Sequence, residues 1–86
     1  MTLTTGNQLK AARALSDIGQ VEVAKAAGVN VNTIRNMEAK GPDLISSSAV
    51  NVHKVQEALE QMGIEFLNHG RPGVRLRHAE TVVETS

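Results

Sequence analysis

The chain has 86 residues, a single Phe, no Tyr, Trp or Cys, and a formal net charge of zero. Such a length holds one domain that buries only about 60–65% of its unfolded surface, and the lack of cysteine excludes disulfides and thiolate metal sites. No apolar run approaches the ~18 residues of a membrane span, and MTLTTGNQLK lacks a signal-peptide core, so a soluble cytoplasmic protein is expected, with no membrane partner.

The first helix is announced by Thr5-Gly6-Asn7-Gln8, a capping box in which Thr and Gln satisfy each other's orphan amides. It runs over residues 7–16 with Leu9, Ala12 and Leu15 on one face, and Asp17-Ile18-Gly19 breaks it. A second helix covers residues 20–27, with Val23, Ala24 and Ala27 inward, and Gly28 closes it where a left-handed residue is wanted. Asn30 is a good N-cap for a third helix over residues 31–39, with Ile34 and Met37 inward. Gly41-Pro42 ends that helix. The loop 41–47 leads to a fourth helix over residues 48–62, whose stripe is Val52, Val55, Leu59 and Met62, and Gly63 stops it.

Beyond Gly63 the period changes from that of a helix to that of a strand. Ile64-Glu65-Phe66-Leu67 and Val74-Arg75-Leu76-Arg77 alternate apolar and polar residues around the turn formers of 68–73, which predicts a β-hairpin or strand pair. From about Ala79 no pattern remains. The expected organisation is a helical domain over 1–63, a β extension over 64–78 and a disordered tail over 79–86. Residues 1–78 carry two surplus positive charges and the tail carries Glu80 and Glu84, so any phosphate-binding face must be local.

Two short helices joined by a tight glycine turn form a helix-turn-helix pattern. The residues Ala11-Ala12-Arg13-Ala14-Leu15, Gly19-Gln20, Val23-Ala24, Ala26-Ala27-Gly28-Val29, and Thr33-Ile34 through Glu38 resemble the Cro/XRE family of phage-repressor-like regulators. The family pattern is roughly A-R-x-L, then S-Q-x-E-L-A-x-x-A-G-V-S, then T-I with a Glu four residues on. The match spans about residues 9–41, and GIEFL with GVRLR extends it toward short bacterial members, to about residue 77. Gly19 departs from the usual Ser or Thr, which deprives the second helix of its side-chain cap.

The resemblance implies a mainly α fold: a four-to-five-helix, lambda-repressor-like helix-turn-helix domain with the short β segment at its end. It implies a sequence-specific DNA-binding transcriptional regulator acting as a homodimer in the major groove of operator double-stranded DNA. Base contacts then fall on Val31, Asn32, Arg35 and Asn36, side chains suited to thymine methyl, adenine and guanine edges. Phosphate contacts fall on Gln20, Asn30, Thr33 and Lys40, which position the protein rather than specify sequence. Arg13 is expected to pair with Glu38 at the end of the recognition helix.

The zero net charge leaves a second reading open, a protein-interaction module that sequesters another protein in the manner of an antitoxin or anti-activator. The remaining residues do not suggest chemistry. His53, His69 and His78 have no ligand spacing, Ser46-Ser47-Ser48 reads as a helix start with no activating base, and no Gly-rich loop follows a strand. No enzyme activity, cofactor, metal or small-molecule ligand is expected. Arg75 and Arg77 read either as a solvated strand face or as a phosphate or partner contact.

A lone hairpin is marginal in water, so Ile64, Phe66, Val74 and Leu76 are expected to form the dimer interface. The stripe of the fourth helix is the rival. On the first view, a chain cut after Gly63 remains a folded helical monomer.

Overall fold

The computed structural model describes residues 2–67, 70, 72–77 and 82–84. Among these the chain is mainly helical: α1 (Gly6–Ser16), α2 (Gln20–Ala27), α3 (Val31–Glu38) and α4 (Ala49–Gln61) precede β1 (Ile64–Leu67), β2 (Gly73–Leu76) and β3 (Val82–Glu84). None of these helices is long and apolar enough to cross a membrane.

The helices start and stop where short-range signals place them. At α1 both halves of the capping box form: Thr5 Oγ1 accepts the Gln8 N–H at 3.2 Å, and Gln8 Oε1 accepts the Thr5 N–H at 3.1 Å. Asp17 closes α1 in the left-handed region (φ 56°), an uncommon place for a residue other than glycine. Gly19 cannot cap α2, and the Glu22 carboxylate accepts its N–H at 3.4 Å instead. Asn30 and Ser48 cap α3 and α4 through the Asn32 and Asn51 amides.

One core joins all of these elements. Leu9 and Ala12 of α1, Val23 of α2, Ile34 and Met37 of α3, and Val55 and Leu59 of α4 are fully buried. Each large side chain of this kind contributes about 1.5–3 kcal/mol on burial. Leu15, Ala27, Val52 and Met62 pack half-buried against it. Leu3 lies outside every helical stripe, yet it is buried, and its N–H donates to Gln56 Oε1 on α4 at 3.1 Å.

The β segment corrects two expectations. Ile64, Phe66 and Val74 are 0%, 2% and 0% exposed within a single chain, and Leu76 is half-buried against the same core. They are therefore not an open dimer face. The hairpin relieves its marginal stability inside the molecule, against α1 and α4, and forms no separable extension. Gln8 fastens it: beyond the capping box, its Nε2 donates to the carbonyls of Leu67 (3.5 Å) and Gly73 (3.3 Å) at the two strand ends. The rival stripe on α4 is also occupied, because α4 packs on α2, Val55 and Leu59 are fully buried in the core, and Val52 and Met62 pack against it.

The second correction concerns the tail. Val82–Glu84 pairs antiparallel with β2, Val74 opposite Val83, giving the sheet order β1-β2-β3. A three-residue strand is too short to announce itself by alternation, and the ladder of β2 supplies its order. The rest of 78–86 lies outside the described residues.

Candidate nucleic-acid interface

Residues 28–30 turn the chain from α2 into α3. Gly28 takes φ 72°, and its N–H together with that of Val29 returns to the carbonyls of Lys25 and Ala24 (3.3 and 3.0 Å). Nothing lies within 4 Å of where its Cβ would stand, so glycine is needed there for its backbone conformation and not for space. Packing of α2 against α3 then fixes which side of α3 turns inward. Ile34, Met37 and Glu38 are buried, while Asn32, Arg35 and Asn36 are exposed.

The inward side is anchored by charge as well as packing. Arg13 grips Glu38 with two parallel bonds, Nε to Oε2 at 2.6 Å and Nη2 to Oε1 at 3.0 Å, and its Nη1 donates to the Ile18 carbonyl at 3.2 Å. The Glu38 side chain is only 4% exposed and that of Arg13 23%. Bidentate geometry is the strong form of this contact. The hydrogen bonds that Arg13 donates to the Glu38 carboxylate raise its pKa above the ordinary arginine range.

Gln20 joins the same network. Its Nε2 donates to Glu38 Oε1 at 3.2 Å, so a residue assigned to a phosphate is also a strut between α2 and α3. The sequence signal for this was weak, a polar residue at the first position of a helix whose side chain can reach back. One amide hydrogen of Gln20 remains for a further acceptor. With Glu38 paired to Arg13 inside, the charges that α3 and its following turn present outward are those of Arg35, Lys40 and Asp43, all exposed.

The remaining assigned residues divide. Asn30 is exposed, and its Oδ1 accepts the Asn32 N–H at 2.8 Å; Asn32 Oδ1 accepts from Arg35 Nη1 at 3.1 Å. Thr33 is half-buried, and Val31 is partly drawn into the core. Asn36 is exposed. The close approach that seats α3 went unread in the sequence. A Cβ on Gly6 would stand 2.5 Å from the Met37 carbonyl oxygen and 2.8 Å from that of Glu38, and the Asn7 N–H donates to the Gly41 carbonyl at 2.8 Å.

Elsewhere, a depression of about 350 Å³ beside β1 is lined by Glu60, Glu65, Arg75 and Arg77 among others. Arg75 and Glu65 face each other in register and form an ion pair, which engages Arg75 within the hairpin, while Arg77 lies exposed just past the end of β2. His53 lies exposed, 3.7 Å from Glu57, while His69 and His78 lie outside the described residues. No family model and no curated protein matches this chain.

Proposed function

We propose that the protein binds operator double-stranded DNA as a homodimer and regulates transcription, a member of the Cro/XRE helix-turn-helix family with a lambda-repressor-like domain. One observation carries the reading. An eight-residue helix, entered by a tight turn from its partner helix, holds Ile34 and Met37 in the core and turns Asn32, Arg35 and Asn36 outward.

In this reading α3 lies in the major groove, where Arg and Asn match the paired donors and acceptors of guanine and adenine. Gln20, Asn30, Thr33 and Lys40 meet the phosphates on either side and set the register. The Arg13–Glu38–Gln20 network holds the two helices at the angle that docking needs. Two subunits presenting α3 to half-sites about 34–36 Å apart would offset the modest charge of one.

The zero net charge supports the second reading, a module that captures another protein. A gel shift with the DNA upstream of the gene, at two salt concentrations, separates the two. Operator binding expects a complex that survives scrambled competitor and weakens with salt. Arg35→Ala then costs roughly 1–3 kcal/mol at the cognate site, whereas Gln20→Ala weakens cognate and scrambled duplexes alike. A protein that retards neither duplex favours capture of a protein partner.

A further inference from the structure

The polar groups on the outer face of α3 are not equivalent. Asn30 Oδ1 accepts the Asn32 backbone N–H (2.8 Å), which fixes the first turn, and Asn32 Oδ1 accepts from Arg35 Nη1 (3.1 Å). Residues three apart are neighbours on a helix surface, so this bond closes without distorting the backbone.

Counting donors and acceptors separates the roles. A guanidinium has five N–H donors in a fixed plane. The bond to Asn32 engages only one, on Nη1, and the Nε–Nη2 edge of Arg35 has no partner among the described residues. That edge is a two-donor fork, and the matching two-acceptor edge in the major groove is guanine O6 and N7. Adenine offers one donor and one acceptor, so it needs an amide with both oxygen and nitrogen available. The Asn32 oxygen already holds a cation. Both ends of the Asn36 amide are without a partner among the described residues.

Resting on the operator-binding reading, we propose that Asn32 is a positioning residue: it holds Arg35 so that the Nε–Nη2 edge meets a guanine, the base each half-site must supply. An exposed arginine samples many rotamers, and ordering it before contact lowers the entropic cost of binding. Asn32 thus acts on specificity through Arg35 without reading a base.

The test uses the full chain and half-sites selected from random duplexes by the wild-type protein. The guanine is then replaced by 7-deazaguanine, which lacks the N7 acceptor, and the affinity ratio is the readout. The wild type is expected to lose roughly tenfold on that replacement. Arg35→Ala should be indifferent to it. Asn32→Ala should lose most of the ratio with an unchanged thermal midpoint, which a merely structural role would not produce. Asn32→Asp, whose carboxylate can still accept from Nη1, should keep the ratio while binding every duplex more weakly.

A wild-type ratio retained by Asn32→Ala overturns the positioning role. Duplex binding that ignores guanine N7 overturns the guanine assignment and leaves operator binding standing. A wild-type protein that enriches no duplex overturns operator binding, and this proposal with it.

Discussion

Two surfaces of this chain were assigned to partners from sequence, and the fold treats them differently. The apolar row of the hairpin, read as a face for a second chain, is closed by α1 and α4 of its own chain. The polar row of α3, read as a face for DNA, stays open. Apolar side chains take the nearest available cover, and a helix tethered to the same chain is present at a far higher effective concentration than any second molecule. Polar side chains lose hydration under such cover and are buried only where partners replace it, as Arg13 does for Glu38 and the hairpin carbonyls do for Gln8. The location of Asn32, Arg35 and Asn36 is therefore more legible from pattern than the fate of Ile64, Phe66 and Val74.

Removal of the hairpin is the most severe way to break this contrast. Truncation after Gly63 exposes the core beneath Ile64, Phe66 and Val74 and strips Gln8 of two acceptors. The helices are expected to lose cooperative folding, a different outcome from the folded monomer that a separable extension would give. Circular dichroism melts decide it, and a sharp transition in the truncated chain would restore the hairpin as an independent element.

Arg13→Ala acts at the base of α3. It leaves the Glu38 carboxylate, 4% exposed, with the Gln20 amide as its remaining partner, and stranding a buried charge costs about 3–5 kcal/mol. Glu38→Gln should cost less, because Arg13 is 23% exposed and can rehydrate. Equal melting midpoints for the two variants would argue against that asymmetry.

Two glycines sharpen the contrast further. Gly6→Ala drives a Cβ into backbone carbonyls at 2.5 and 2.8 Å and should cost about 1–3 kcal/mol or more through overpacking. Gly28→Ala meets no neighbour and carries only the left-handed penalty of roughly 1–2 kcal/mol. Denaturant titration ranks them, and a larger loss at Gly28 would reverse the argument. At the open face, Arg35→Ala and Asn36→Ala should each change stability by no more than about 0.5 kcal/mol. A larger shift in the unfolding midpoint would mean that the outer row supports the fold after all.

The sequence by itself determined the helix ends, the inward stripes and the exposed row of α3. Caps act within three or four residues: Thr5 with Gln8, Asn30 with Asn32, Ser48 with Asn51, and Gly28 with the carbonyl of Lys25. A local pattern can therefore show them. What only the tertiary structure decided lies in contacts without a spacing. Gln8 satisfies its helix with the oxygen of its amide, while the nitrogen finds carbonyls 59 and 65 residues away. Gln20 bonds to Glu38 across 18 residues, and Gly6 is required by backbone at the C-terminal end of the third helix. The short strand Val82–Glu84 becomes ordered on a neighbour already in place. Each of these depends on which surfaces the packed helices bring together, and that geometry exists only after the core has formed.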